Sequence, residues 1–284
     1  MEIERFMNYS VEAEYVLCEK FDRKTLKAMI DNFDELYSKI GKFRDFKNGY
    51  KKIEDKGRNK TILEGLYKSK KVTYKPSISC KDGRLFGANS LQGINRIVRH
   101  TLCKGLYKDY DIKGCHNTLF VWLCDKYNIK IDRLKDYNDN RETYLLELMK
   151  FYDIERDDAK TIVLEMLNGG GDTWTSVVKP LDWLLYLKIE LRDAIKKICE
   201  LDDFNHKYKK VCKSKDKNPE GTTINHILCK MENIVLQCMV KWCRDHNIEV
   251  ATLCFDGLLV DKEIDCNEIQ QYIKNELGID LIIV

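Results

Sequence analysis

The chain has 284 residues, 44% hydrophobic and 33% charged, with a formal net charge of +3. That is enough apolar material for one large domain or two modest ones, and it excludes a disordered or fibrous chain. No run of about 18 apolar residues occurs and Met1-Glu-Ile-Glu-Arg5 lacks the apolar core of a secretory signal, so neither a membrane partner nor export is expected.

Apolar residues at helical spacing in 11–17 and from Leu26 to Tyr37 predict a mostly helical segment over residues 10–70. Charge is uneven along the chain. Residues 40–75 hold 12 Lys/Arg against 4 Asp/Glu, and a second basic cluster runs from Lys207 to Lys217. Both suit a phosphate backbone, or equally a solvated lysine-rich surface. Residues 72–87 read as strands turning at Lys81-Asp-Gly83, residues 102–112 as a loop feeding a strand, and Asn117–Leu123 as an apolar helix. Helices over 140–167 stop at Gly169-Gly-Gly171, and longer ones follow near 181–200 and 221–246. At the end, Asp256-Gly257 between two apolar runs predicts a hairpin turn, followed by a helix over 265–277 and a strand over 280–284. The fold class is α+β. Twelve scattered cysteines without a Cys-x-x-Cys pair argue against a disulfide framework and structural zinc, and fit reduced thiols in a cytoplasmic or nuclear compartment.

Four segments carry chemistry. Asp111, in Tyr110-Asp-Ile-Lys-Gly-Cys-His116-Asn117, can project a carboxylate from the end of a strand. Arg156, Lys160, Leu164 and Asn168 recur every four residues and form one stripe on a helix, where two cations a turn apart can grip the phosphates of a nucleoside triphosphate. Glu220-Gly-Thr-Thr-Ile-Asn225 opens a helix with small and amide residues, and Phe255-Asp256-Gly257 sits at the hairpin turn. Taken singly, each also fits ordinary structure: an Asp closing a strand, a solvated helix, a turn dipeptide.

Taken in order, the four resemble the family A DNA polymerases and the related single-subunit phage RNA polymerases. They look closer still to a divergent family-A-like group of large DNA viruses and mobile elements. Upstream, Gly83-Arg84-Leu85, Asn89 to Ile94 including Gln92, and Arg96 to Arg99 are similar to the segment before the family's first aspartate, so the likeness spans about residues 82–284. It implies an antiparallel-sheet palm (73–150 and 219–284), reduced helical fingers (151–218) and a helical N-terminal region (1–72) in place of a thumb. Asp111 and Asp256, with the carbonyl of Ile112, would hold two Mg²⁺ ions, for which Mn²⁺ can substitute. Lys160 would neutralise charge on the transferring phosphate, Arg156 would hold the outer phosphates, and Leu164, Asn168 and His116 would border the nucleotide. Arg84, Gln92, Arg96, Arg99 and Asn225 are candidates for contact with a DNA primer-template, or RNA.

Departures from the family pattern cluster around the nucleotide. Gly257 stands where a second turn carboxylate is usual, Phe255 where a histidine is, Leu164 where an aromatic is, Asn168 where a tyrosine is, and His116 where a glutamate is. The choice between dNTP and NTP therefore stays open. Glu220 follows Gly169 by 51 positions, which implies short fingers, and no exonuclease domain fits, so low processivity without proofreading is expected. The implied activity is primer extension, with a replication protein such as a helicase as a partner and a viral replication site as a setting. The alternatives are a primase or RNA polymerase starting chains de novo, and an inactive palm that only binds nucleic acid or a replication partner.

Overall fold

The computed structural model describes residues 2–40, 42–44, 51–53, 56–77, 80–170 and 180–284. In chain order its elements are α1 (Glu2–Met7), β1 (Tyr15–Cys18), α2 (Arg23–Asp31), α3 (Phe33–Ile40), β2 (Lys42–Arg44), β3 (Lys51–Ile53), α4 (Lys56–Lys68), β4 (Lys71–Ser77), β5 (Cys80–Gly87), α5 (Arg96–Leu102) and β6 (Lys108–Asp111). Then come α6 (Cys115–Lys126), α7 (Asp132–Asp139), α8 (Arg141–Tyr152), α9 (Arg156–Leu167), α10 (Asp182–Glu200), α11 (Asp202–Cys212), α12 (Pro219–Asp245), β7 (Val250–Leu253), β8 (Gly257–Val260) and α13 (Cys266–Leu277). The result is α+β with antiparallel sheets. Contacts divide the chain into two compact units, one of residues 1–3 and 114–231 and the other of 4–113 and 232–284. By this division segment 114–150, grouped from sequence with the first part of a palm, belongs with the helices that follow it. Gly171, the rest of 171–179, and residues 41, 45–50 and 54–55 of the basic stretch 40–75 lie outside the described residues.

Among the described residues, the unit of 4–113 and 232–284 holds every strand. Its first sheet has the order β1-β4-β5 and its second β6-β8-β7, both antiparallel, and β2 pairs with β3. Residues 15–18, expected to be helical, form β1 instead. Tyr15 is buried while Val16 is 60% exposed, and the segment registers residue for residue against β4 from Tyr15↔Tyr74 to Cys18↔Lys71. A stretch this short gains more from that pairing than from one helical turn with its costly nucleus. Lys81–Gly83, expected as a turn, lies inside β5. Helices α2, α4 and α5 bury Leu26, Leu63, Leu66, Val98 and Leu102 in one apolar cluster with Leu91. Asp22 starts α2 by accepting the N–H groups of Lys24 and Thr25, and Asp265 starts α13 in the same way.

A buried carboxylate ties this unit together. Glu19, at 0% exposure, accepts hydrogen bonds from the Leu91 N–H (2.8 Å), the Thr252 hydroxyl (3.3 Å) and the Tyr74 hydroxyl. Burial pushes its carboxyl up to about 7 against the pull of those donors.

Among its described residues, the unit of 114–231 is helical. Its core is built from α6 to α10, with Phe120, Leu123, Leu134, Leu148, Ile162 and Leu191 fully or almost fully buried. Gly114, at φ +60, admits the chain into α6, and Gly169, at φ +70, follows Asn168 at the end of α9. Pro219 opens α12 at a position that needs no N–H, while Asn218 accepts the Gly221 N–H at 3.0 Å.

Candidate active site

Strand β6 alternates its side chains, so Asp109 and Asp111 share one sheet face. Tyr110 points to the other face, where its hydroxyl accepts the Ile264 N–H at 2.9 Å. In register, Asp111 stands opposite Gly257 of β8. The segment beyond Asp111 is held on two sides. Asp111 and Val284 exchange both backbone hydrogen bonds at 3.0 Å, and the Ile112 N–H donates to the Asp256 carbonyl at 3.0 Å. Residues 280–284, expected as a strand, contribute this pairing and a single bridge between Ile283 and Ile112. Asp111 and Asp256 are thereby joined through the main chain within one unit.

The hairpin turn differs from the expected one. Cys254 N–H donates to the Gly257 carbonyl at 2.8 Å, so Phe255 and Asp256 are its central residues and Gly257 opens β8. The positive φ, +63°, falls on Phe255, a conformation costly for a bulky side chain. The glycine is needed for space: a Cβ on residue 257 would lie 2.0 Å from Asp111 Oδ1 and 2.5 Å from the Tyr110 carbonyl.

Both carboxylates are half-buried and reluctant to ionise. Asp256 is pushed up to about 6 by burial, then by the charges of Glu232 and Asp111, with Arg84 pulling weakly the other way. Asp111 is raised by burial and by Asp109, against Arg96, Arg99 and His100. Hard oxygen donors crowded into a low-dielectric corner fit a divalent cation such as Mg²⁺, whose charge relieves this repulsion.

Beside the turn, Glu232 is fully buried and takes a two-pronged grip from Arg84: Nε to Oε1 at 2.7 Å and Nη2 to Oε2 at 2.7 Å. The Arg84 guanidinium lies 5.0 Å from the centroid of the Phe255 ring, and Phe86 meets that ring edge-on at 5.5 Å. Sequence patterning gave no sign of Glu232, because it contacts Arg84 across 148 positions.

In the helical unit, α9 presents the four-residue stripe. Leu164 is 44% exposed; Arg156 pairs with Glu142 at 2.6 Å and Lys160 with Asp157 at 2.9 Å. The stripe's C-terminal end meets the start of α12. Asn225 Nδ2 donates to Asn168 Oδ1 at 3.1 Å, and Asn218 Nδ2 to the Asn168 carbonyl at 2.9 Å. A Cβ on Gly221 would come within 1.9 Å of that carbonyl. His116 is buried on α6.

The remaining candidates divide. Gln92 is buried with its amide turned inward: Nε2 donates to the carbonyls of Leu85 (2.9 Å) and Leu253 (2.7 Å), and Oε1 accepts the Gly87 N–H (3.1 Å). It serves as an internal brace. Arg96 and Arg99 instead line an open cleft of about 820 Å³ with His100, Lys104, Asp109 and Leu259, on the sheet face that carries Asp111. Among the described residues no helix is long and apolar enough to cross a membrane.

No protein-family model matches the chain. Over 202 residues it is 31% identical to the Sputnik virophage protein V13, named as a candidate helicase; the match takes in 67% of this chain and 26% of that protein. Its fold is similar to the POL domain of Pol1 from M. smegmatis, solved in complex with DNA primer-template and dNTP. The TM-score is 0.63 at 12% identity, covering 94% of this chain and 66% of the other. The chain thus spans about a quarter of its virophage relative and just under two thirds of the polymerase chain, and its fold is polymerase-like.

Proposed function

We propose that the protein is a template-directed nucleotidyltransferase that extends a DNA primer with nucleoside triphosphates, using a palm built around Asp111 and Asp256 and fingers built around α9. The observation that carries this is the join between the two aspartates, Asp111 at the end of β6 opposite Gly257 and Asp256 in the turn just before β8, in a corner where both resist ionisation. The polymerase-like fold and the ordered segments from Arg84 to Gly257 support it.

In this reading Asp111, Asp256 and the Ile112 carbonyl would hold two Mg²⁺ ions. When bound, these ions supply acidity at the primer 3′-hydroxyl and charge neutralisation on the triphosphate. The protein's own groups do the rest. Arg156 and Lys160, one turn apart, exchange their surface partners Glu142 and Asp157 for phosphate oxygens. Exposed pairs of that kind are worth at most about 1 kcal/mol, so the exchange is cheap. Lys160 is also placed by the reading to give a proton to the departing pyrophosphate. Leu164 offers an apolar surface to the incoming base, and Asn168, fixed by Asn225, borders the sugar. The cations of the Arg96–Lys104 cleft suit backbone phosphates.

A second reading is de novo initiation as a primase or RNA polymerase. The virophage likeness raises it, since the chain matches a quarter of a longer protein named as a candidate helicase, and a helicase that works at a replication fork acts beside primer synthesis. One experiment separates the readings: extension of a labelled primer-template with Mg²⁺, and the same template without primer, with dNTPs and NTPs in parallel, for wild type, Asp111→Ala and Asp256→Ala. Products lost in both variants support the nucleotidyltransferase, and the arm that yields them assigns the initiation mode. Binding without synthesis in any arm would leave only a nucleic-acid-binding palm.

A further inference from the structure

We propose that Glu232 and Arg84 form a positioning clamp that holds the Phe255–Asp256 turn in its active shape, so that Glu232 is a positioning residue for the transfer reaction. The inference rests on the reading of Asp256 as a catalytic carboxylate.

The case begins with the backbone. Phe255 sits at φ +63 in the centre of a two-residue turn, a place where glycine is at ease and a bulky side chain is strained. Such a turn persists only if its surroundings hold it. The ring that causes the strain is also the handle: the guanidinium of Arg84 covers its face at 5.0 Å and Phe86 meets it edge-on. Arg84 in turn is fixed in plane by two 2.7 Å bonds to Glu232. Glu232 is fully buried on α12, a helix of 27 residues. The series α12, Glu232, Arg84, Phe255, Asp256 is contiguous, and each joint is directional. A lysine in place of Arg84 cannot supply the planar fork or the flat face. The arrangement also gives Arg84 a task other than contact with nucleic acid: Nε and Nη2 are committed to Glu232 and the guanidinium face to the ring.

The test uses Glu232→Gln, Arg84→Lys, their combination and Phe255→Leu, each checked for folding by its unfolding midpoint. The kcat for single-nucleotide incorporation and the Kd for primer-template are measured for each. The clamp predicts that both single variants lose about 10- to 100-fold in kcat, as expected for a reacting group misplaced by an ångström or less. Kd should stay within about twofold, and the double variant should be no worse than the poorer single one. Weakened primer-template binding in Arg84→Lys with normal Glu232→Gln would overturn the clamp in favour of a nucleic-acid contact. Multiplying losses, or unchanged kcat in both, would overturn it too. If Glu232→Gln does not fold, Arg84→Lys and Phe255→Leu carry the same comparison.

A readout without activity separates this inference from the polymerase reading. With 4-trifluoromethylphenylalanine at position 255, the ¹⁹F resonance should shift in both Glu232→Gln and Arg84→Lys. If wild type incorporates nothing, the polymerase reading falls, and the clamp stands or falls on that resonance alone: moved in both variants it stands, unmoved it is rejected.

Discussion

A side chain at position 257 and the carboxylate of Asp111 compete for one space: a Cβ there would lie 2.0 Å from Asp111 Oδ1. The backbone on both sides is tied down, by β8 pairing and by the Ile112-to-Asp256 hydrogen bond. The carboxylate must therefore move, and with the Tyr110 carbonyl at 2.5 Å the paired strands must give as well.

Gly257→Ala should lower kcat by at least about tenfold by turning Asp111 away, while costing about 1–3 kcal/mol of stability from overpacking. Single-turnover incorporation and chemical denaturation, run side by side, check it. Full activity with unchanged stability would mean that Asp111 has room to spare.

Asp256→Asn should abolish incorporation yet raise the unfolding midpoint at pH 7.5 without divalent ions. The carboxyl's folded value, about 6, lies above its ordinary 3.8. The stability it contributes is complete below pH 3.8 and is lost as pH rises through 6, so at pH 7.5 the ionised group is a burden of about 1–3 kcal/mol. Millimolar Mg²⁺ should lift the wild-type midpoint by a few degrees, as a ligand of the folded state does, and leave the variant nearly unmoved. Equal lifts in both would place the ion elsewhere.

Glu19 should give the wild type a slope of stability against pH. Its folded value of about 7 lies above the ordinary 4.5, so its contribution is full below pH 4.5 and fades as pH rises through 7, by about 3 kcal/mol in all. Denaturation at pH 5, 6, 7 and 8 should show a flatter profile for Glu19→Gln, whatever that variant's absolute stability. Parallel profiles would assign the slope to other groups.

Gly221→Ala should disturb the end of α9 from a distance in sequence, since its Cβ would press to 1.9 Å of the Asn168 carbonyl. The expected result is a higher KM for nucleotide with primer-template affinity retained, along with about 1–3 kcal/mol of lost stability. An unchanged KM would remove Asn168 from the nucleotide's surroundings.

Much of this was legible in the residues because it is local. The strand that ends at Asp111, the apolar helix after it, the stripe of Arg156 to Asn168 and the stop at Gly169 are all written within a few turns of chain. What was hidden is long-range. The pattern of residues 11–17 suited a helix, but an open edge on β4 captured Tyr15–Cys18 as a strand. The Asp-Gly dipeptide gave the hairpin correctly but for another reason, since the positive φ belongs to Phe255 and the glycine makes room for Asp111. Gln92 looked like a contact residue and is an internal brace. Glu232 and Glu19 are acidic residues with no local signature, and only a folded chain shows that each is wholly enclosed.

The Ile112-to-Asp256 hydrogen bond has a consequence for biosynthesis. Asp256 follows Asp111 by 145 positions, and β6 stands at the edge of a sheet whose other two strands come after the helical unit in the chain. On the ribosome the first aspartate waits, its strand unpaired, through the synthesis of the entire helical unit. At about 5–20 residues per second that is roughly 7 to 30 seconds. A nascent chain, or one terminated before β8, therefore carries the α9 stripe without the paired carboxylates. On the proposed reading, the two carboxylates come together only when the sheet closes, after the helical unit has been made.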